Sequence, residues 1–208
     1  MSEYLVPAGS GESEYTEKRS SFLGRVERAE GEEQAREFIA LIKKQHRDAR
    51  HNCWCYIIRS GAVRYSDDGE PQGTAGLPML EVFKHEGIEN VVCVVTRYFG
   101  GVLLGTGGLA RAYTKAATDA LENAGIAAMR RSLRLEASCP YSLLERIKTE
   151  CAAQNGVIAD AQYSDKVSLT LLLPDDTADD FIKRISEISA GACVPAVTGE
   201  EFAPVQIK

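Results

Sequence analysis

Residues 90–113 read NVVCVVTRYFGGVLLGTGGLARAY, and this stretch decides the fold of the first part of the chain. Residues 90–98 are almost continuously apolar, which is typical of a strand buried on both faces. Residues 109–123 have helical spacing, and Gly125 ends the predicted helix. The segment between them is rich in glycine, the residue that loses most conformational entropy on folding. We therefore expect a binding loop or a very tight turn, containing Gly100, Gly101, Gly105, Gly107 and Gly108 between Arg97 and Arg111.

Upstream of this stretch, the pattern alternates between extended and helical segments. The spacing predicts extended residues 3–7 and 19–29 separated by a turn-rich segment at 8–13, a helix over 32–45, a hairpin over 53–66 and a helix over 77–87. The helix over 32–45 has Glu32 and Glu33 in its first turn and Lys43 and Lys44 in its last. These charges complement the helix dipole at both ends.

Downstream of residue 132 the order of elements is simpler. The pattern predicts a strand over 132–138, a helix over 141–155, strands over 157–163 and 166–173, a helix over 177–189 and a strand over 194–202. This is the βαββαβ order of a split, ferredoxin-like domain. We therefore predict an α+β protein with two domains, residues 1–131 and residues 132–208.

The charge balance limits where a polyanion could bind. The formal net charge is −6, so an overall field that attracts nucleic acid is absent, and any such site has to be a local patch. Residues 1–131 contain 17 basic and 18 acidic residues, whereas residues 132–208 contain 7 and 12. The second domain is therefore acidic, which disfavours phosphate binding there.

Cysteine usage and hydropathy indicate a cytoplasmic protein. The six cysteines form no CxxC pair and most lie in apolar runs, as expected for reduced, buried thiols rather than zinc ligands. No apolar run reaches the about 18 residues that span a bilayer, and the first residues lack the pattern of a signal peptide. We expect neither export nor a membrane partner.

The glycine-rich segment matches neither of two known phosphate-binding motifs. Residues 105–110 fit GxGxxA, but they do not directly follow the strand, and the next strand has Arg130 and Arg131 where a dinucleotide site needs an acid. Residues 100–105 fit GxxxxG, but Thr106 replaces the phosphate-binding lysine. Free amides leading into a helix, with Arg97 and Arg111, could still bind an anion. The alternative is a packing loop whose arginines pair with local carboxylates.

The segment SDDGEPQGTAGLP, residues 66–78, places three carboxylates within four positions: Asp67, Asp68 and Glu70. Such closely spaced charges need a cation, a proton or open water, and Mg²⁺ binds through one or two carboxylates. The other interpretation is a turn at Asp68-Gly69 that leads into the next helix. Considered alone, the composition favours the turn.

A basic cluster consists of Lys43, Lys44, Arg47, Arg50 and His51. If the helix continues that far, Lys43, Arg47 and His51 share one face. The cluster is the best local candidate for RNA phosphate, and a solvated helix face is the alternative. For catalysis the sequence offers no HExxH, no GxSxG and no cysteine with a reason to be a thiolate, so it predicts no catalytic residue.

Four segments together closely resemble the bacterial YigZ-type, two-domain branch of the IMPACT family: KRSSF, ARHNCWCY, SDDGEPQGTAGLP and VVTRYFGGVLLGTGGLARAY. The resemblance implies an N-terminal domain with the left-handed βαβ topology of a ribosomal protein and elongation factor G, and a ferredoxin-like C-terminal domain. Eukaryotic relatives act in translational control through a further N-terminal domain, and that role is not carried over. Leu103 stands where many relatives have lysine, which weakens the case for a polyanion at the loop. The family implies no catalytic residues.

The leading hypothesis is a cytosolic, non-catalytic binding protein associated with RNA, the ribosome or translation control. It uses the glycine-rich loop and nearby basic residues and needs no cofactor. The first alternative is a Mg²⁺-dependent enzyme acting on a nucleotide or another phosphorylated small molecule. The second is a protein-interaction module that uses the acidic sheet of the C-terminal domain. The sequence predicts no particular oligomeric state.

Overall fold

The computed structural model describes residues 3–207, which form two units. The N-terminal unit contains residues 4–127 together with Ile207, and the C-terminal unit contains Glu3 together with residues 128–206. Within the described residues, no helix combines the length and the apolar character needed to span a membrane. The elements of the N-terminal unit are β1 (Tyr4–Pro7), β2 (Gly11–Glu17), β3 (Ser20–Arg28), α1 (Glu32–Gln45), β4 (His51–Ile57), β5 (Val63–Ser66), α2 (Gly76–His85), β6 (Val91–Tyr98) and α3 (Gly105–Ala124).

The sheet of the N-terminal unit has the strand order β2-β3-β6-β4-β5, and every pairing is antiparallel. Because β3 and β4 both pair with β6, they run parallel to each other, and α1 connects them as a βαβ unit. Alternate residues of β6 join two different cores. Val91, Cys93 and Val95 pack with α2 and α3, whereas Val92 and Val94 pack with α1. The expectation that this strand is buried on both faces is confirmed.

Strand β7 (Ile126–Cys139) begins in the N-terminal unit, and most of it belongs to the C-terminal unit. The other elements of the C-terminal unit are α4 (Tyr141–Ala153), β8 (Val157–Tyr163), β9 (Val167–Pro174), α5 (Ala178–Ile188) and β10 (Ala196–Gln206). Its sheet has the order β10-β7-β9-β8. Buried residues of α4 and α5 pack with those of β7 and β9 in one core. The predicted α+β class and βαββαβ order are confirmed.

Several boundaries differ from the sequence-based prediction; for example, β7 begins at Ile126 instead of at residue 132. The segment predicted as turn-rich at 8–13 contains the start of β2 at Gly11. Helix α3 begins at Gly105, four residues earlier than predicted, so the last three glycines of the predicted loop are helical. Helix α1 ends at Gln45, as predicted, so it does not continue to Arg47 or His51.

Candidate anion-binding site

A cavity of about 350 Å³ lies at the start of α3, and we call it the α3 cavity. It joins segments that are far apart in sequence: the end of the basic cluster, the turn that contains Asp67, Asp68 and Glu70 (the acidic turn), the end of β6 and the glycine-rich loop. The acidic turn and the glycine-rich loop therefore contribute to one site. The lining residues are Arg50, His51, Gly69, Glu70, Pro71, Arg97, Phe99, Leu103, Leu104, Gly105, Thr106 and Leu109.

Arg97 is held in the wall of the cavity by its position in the sheet. In the strand register it lies opposite His51 of β4 on one side and Phe22 of β3 on the other. Its Nη1 donates to Glu70 Oε1 at 2.6 Å, and the two side chains are only 7% and 3% exposed. Tyr113 Oη donates to the same Glu70 oxygen at 2.9 Å. This network fixes the guanidinium at the cavity.

The Nε atom of Arg97 is buried, and nothing among residues 3–207 accepts its hydrogen bond. The guanidinium carbon lies 5.5 Å and 5.6 Å from the ring centroids of Phe22 and Phe99. A buried polar group without a partner costs about 1–3 kcal/mol. Because the atom has almost no accessible surface, an acceptor in the cavity would remove that cost only after a neighbouring side chain moved.

His51 lines the cavity, and a hydrogen bond sets the tautomer of its ring. Its Nδ1 lies 2.9 Å from the carbonyl oxygen of Asp68, and a carbonyl only accepts hydrogen bonds, so Nδ1 carries the hydrogen. The other nitrogen, Nε2, is 4.0 Å from Glu70 Oε1. Nε2 therefore offers a lone pair when the ring is neutral and a hydrogen-bond donor when it is protonated.

The first turn of α3 supplies backbone donors. Within the described chain no side chain caps this helix, whose N-cap residue is Leu104. The amides of residues 104–107 come before the first amide that donates to a carbonyl within the helix, so they have no partner inside it. Three of these residues, Leu104, Gly105 and Thr106, line the cavity. The positive end of the helix dipole also lies there, and it favours anions.

The glycines of the predicted loop have different structural roles. Gly101 and Gly105 have φ values of 84° and 70°, which favour glycine. Gly100 is needed for another reason: a Cβ there would lie 2.0 Å from the carbonyl carbon of Arg19, and its amide donates to Ser20 Oγ at 3.1 Å. Gly107 and Gly108 lie in α3 and have neither constraint from φ nor a backbone atom in contact. Of the predicted segment over residues 100–108, only residues 103–106 at the start of α3 line the α3 cavity.

Two of the three clustered carboxylates stabilise the turn instead of facing the cavity. Asp67 accepts hydrogen bonds from the amides of Gly73, Ala75 and Gly76 at 2.8–3.0 Å, which caps α2. Asp68 has a φ of 44° and pairs with Lys43 Nζ at 2.6 Å. Its second carboxylate oxygen accepts from the Asn52 amide at 2.8 Å. Within residues 3–207 no group of three His, Cys, Asp or Glu side chains is arranged to hold a metal ion.

The basic cluster is divided by the end of α1. The shared face of Lys43, Arg47 and His51 depended on a longer helix, and it does not form because α1 stops before Arg47. Lys43 is paired with Asp68, and Arg50 and His51 line the cavity, whereas Lys44 and Arg47 are exposed outside it.

Arg111 lies on a second groove of about 380 Å³, which we call the basic groove. Its Nη1 is 3.5 Å from the position of a Cβ at Gly107. Leu104 lines both the basic groove and the α3 cavity, so the two adjoin at the start of α3. The basic groove is lined by Tyr15, Glu17, Lys18, Leu104, Gly108, Arg111, Ala112 and Lys115.

Sequence reasoning missed two members of the site, Phe99 and Tyr113. One signal was available: period-two alternation along β6 places Arg97 on the same face as Cys93 and Val95, so this arginine had to be buried. A buried arginine needs a carboxylate and further polar partners. No signal in the sequence identified which carboxylate that would be.

The nearest cysteine is not an activated nucleophile. Cys53 Sγ donates to the carbonyl oxygen of Asp67 at 3.0 Å. Burial raises the pKa of the Cys53 thiol far above its usual value, and nearby carboxylates act in the same direction. The thiol therefore stays protonated near neutral pH, as the sequence indicated.

Two family models match the chain. The Impact N-terminal domain matches residues 18–121, half of the chain, and a domain of unknown function, DUF1949, matches residues 138–192. All residues that line the α3 cavity fall within the first match.

Individual relatives agree with these matches. The chain is 35% identical to IMPACT family member YvyE of Bacillus subtilis (strain 168), over 92% of this chain and 89% of that protein. It is 32% identical to IMPACT family member YigZ of Escherichia coli (strain K12), over 92% and 96%. The crystal structure of a hypothetical protein is 31% identical and covers 97% of this chain and 100% of its own, with a TM-score of 0.60. These matches confirm the resemblance seen in the motifs, and the chain belongs to the IMPACT family.

Proposed function

We propose that this chain is a cytosolic, non-catalytic protein that binds RNA phosphate at the α3 cavity, in association with the ribosome or with translation control. The observation that carries the proposal is the unsatisfied Nε of Arg97, a residue only 6% exposed, in the wall of the cavity where α3 begins. Phosphate oxygens are acceptors that match both guanidinium and helix-start amides.

The local charge favours an anion although the whole chain is acidic. Glu70 offsets the charge of Arg97. Arg50 is exposed and forms no ion pair with any residue that the structure describes, and the dipole of α3 adds positive potential. The adjoining basic groove contributes Lys18 and Arg111 against the lining acid Glu17, while its third cation, Lys115, is paired with Asp119. A strand that crosses the start of α3 would meet cations on both sides.

The structure supports binding more than catalysis. The carboxylates expected to hold Mg²⁺ in the alternative enzyme are engaged by separate protein groups: Asp67 by backbone amides, Asp68 by Lys43, and Glu70 by Arg97 and Tyr113. The six cysteines, all within residues 3–207, are buried free thiols, which fits a reducing compartment. The resemblance to elongation-factor domains is the basis for associating the bound RNA with translation.

Binding of a short single-stranded RNA, followed by fluorescence anisotropy, tests the proposal. We compare the double variant Arg50→Ala/Arg111→Ala with Lys44→Ala/Arg47→Ala, which removes the same charge outside both cavities. Each phosphate contact contributes roughly 0.7 to the slope of log affinity against log salt, so we expect the first variant to lose roughly 1.4 of that slope. The second should match the wild type. Equal losses in both variants, or no binding by the wild type, would refute the assignment.

A further inference from the structure

The α3 cavity has the features of a site for the end of a nucleic acid strand. Resting on the proposed function, we infer that it takes a terminal phosphate monoester carried by a nucleoside, either at an RNA end or on a free mononucleotide. An internal phosphodiester would instead lie across the surface. The inference depends on the depth of Arg97, the number of donors and the apolar side of the cavity.

Arg97 lies too deep in the cavity wall to meet a strand that runs along the surface. Arg97 is 6% exposed and is held by Glu70, so it cannot extend outward to meet a strand on the surface. An internal phosphodiester has a sugar on each side, and both would have to enter the cavity with it. A terminal phosphate has a sugar on one side only and can enter end-on.

The hydrogen-bond donors of the cavity suit a phosphate monoester better than a diester. The residues that line the cavity include several donors: the guanidinium of Arg97, the amides of Gly105 and Thr106, and His51 Nε2 when the ring is protonated. A phosphate monoester has three acceptor oxygens and a charge of about −1.5 to −2 near neutral pH, whereas a diester has two free oxygens and one charge. Gly105 leaves room for the extra oxygen, since apart from its chain neighbours and the nearby backbone of α3 no described atom lies within 4 Å of where its Cβ would be.

The cavity also has an apolar lining that could contact a nucleobase. Phe99 follows β6 directly, lines the cavity and is 46% exposed, and Leu103 is 83% exposed beside it. Leu104, Leu109 and Pro71 add further apolar lining to the cavity. A partly exposed aromatic ring next to a phosphate site is a platform on which a base can stack. The volume of about 350 Å³ lies within the usual range for small-ligand sites.

Calorimetric titration with RNA of a single sequence tests the inference. The three forms carry a phosphate at the 5′ end, a phosphate at the 3′ end, or no terminal phosphate. We expect one phosphorylated form to bind at least about tenfold tighter than the form without phosphate, since two added charge-assisted hydrogen bonds are worth that much. A titration with adenosine monophosphate, with adenosine as its control, distinguishes the two sources of the phosphate, an RNA end and a free mononucleotide. Tight binding of the mononucleotide identifies a free ligand, and tight binding of the oligonucleotide alone identifies an RNA end.

Substitution of the platform gives an independent measurement. Phe99→Ala should weaken binding of the phosphorylated form about tenfold, the effect of one lost stacking contact. Tyr65→Ala is the matched control: this residue on β5 is 47% exposed and lies outside the cavity. Thermal unfolding of both variants checks that the fold is intact.

The outcomes separate the inference from the proposed function. Equal affinity for all three RNA forms, with binding still reduced in Arg50→Ala/Arg111→Ala, would overturn the terminal-phosphate inference and leave RNA binding in place. Binding of adenosine monophosphate without binding of any RNA form would overturn the proposed function and support the inference. Unchanged affinity in Phe99→Ala would overturn the stacking platform.

Discussion

Arg97 and Glu70 form an ion pair inside the N-terminal unit, with Arg97 Nη1 2.6 Å from Glu70 Oε1 and both side chains less than a tenth exposed. The pair joins the end of β6 to the acidic turn that precedes α2. Removal of one member of a buried pair leaves the other charged and without compensation, and this costs far more than loss of a surface pair. The pair is therefore both a structural contact and the support of the proposed site.

Glu70→Gln should destabilise the N-terminal unit by about 3–5 kcal/mol because Arg97 would remain buried without its counter-charge. Glu81→Gln is the control, since its pair with Lys84 is exposed and should contribute at most about 1 kcal/mol. Urea unfolding followed by fluorescence measures both. Trp54, the single tryptophan of the chain, lies in β4 and reports on this unit. Similar unfolding midpoints for the two variants would contradict a buried, uncompensated arginine.

Contacts of Arg97 with residues from distant segments show what the local sequence could and could not predict. The burial of β6, the hairpin of β4 and β5, and α1 followed from hydropathy and end charges, and their bounds agree with the structure. The site depends instead on the register that sets His51 opposite Arg97, and on the turn that brings Glu70 to both. These contacts link segments far apart in the chain, and no local pattern encodes that pairing.

The boundaries of β2 and α3 were missed for one shared reason. Glycine is a poor residue for both helices and strands, so Gly11 and Gly105–Gly108 were interpreted as turn or loop. In the structure a Cβ at Gly11 would lie 2.0 Å from the carbonyl oxygen of Ala120, and one at Gly24 would lie 2.5 Å from that of Ala116. Helix α3 therefore packs closely on β2 and β3, and this tertiary packing outweighs the local preferences.

Asp67→Ala should destabilise the N-terminal unit by about 2 kcal/mol with or without Mg²⁺, because the carboxylate caps α2 through three backbone amides. Unfolding by urea, in chelator and again in excess Mg²⁺, measures the effect. Asp119→Ala serves as control, since its pair with Lys115 lies on the surface of α3. A loss of stability that appeared only with Mg²⁺ present would instead identify Asp67 as a metal ligand.

Alanine at two glycines of the loop should have opposite effects on stability. Gly100→Ala brings a Cβ to 2.0 Å from the Arg19 backbone, and we expect a loss of about 2 kcal/mol or more. Gly107→Ala lies in α3 at a φ that alanine tolerates and meets only the tip of Arg111 at 3.5 Å. It should stabilise the helix by about 0.5–1 kcal/mol. Thermal unfolding of the two variants measures both effects. A destabilised Gly107→Ala variant would be inconsistent with this packing.

The stability of the N-terminal unit should fall as the pH drops through the range in which histidine titrates, and His46 should account for part of the fall. Arg25 Nη1 donates to His46 Nε2 at 2.9 Å, so this nitrogen must be unprotonated, and Nδ1 lies 2.9 Å from Tyr98 Oη. Burial, and after it the positive charge of Arg25, lowers the pKa of His46. The folded chain thus binds this proton less tightly than the unfolded chain.

It follows that the contribution of His46 to stability is complete above the unfolded pKa of about 6.5 and is lost as the pH falls from there toward the lower folded pKa. His46→Gln should therefore show a flatter dependence of the unfolding free energy on pH between about pH 7.5 and 5.5 than the wild type. His85→Gln should keep the wild-type profile, because the side chain of His85 is 86% exposed. Urea unfolding at several pH values, followed by Trp54 fluorescence, gives the three profiles, and parallel curves for wild type and His46→Gln would show that His46 titrates alike in both states.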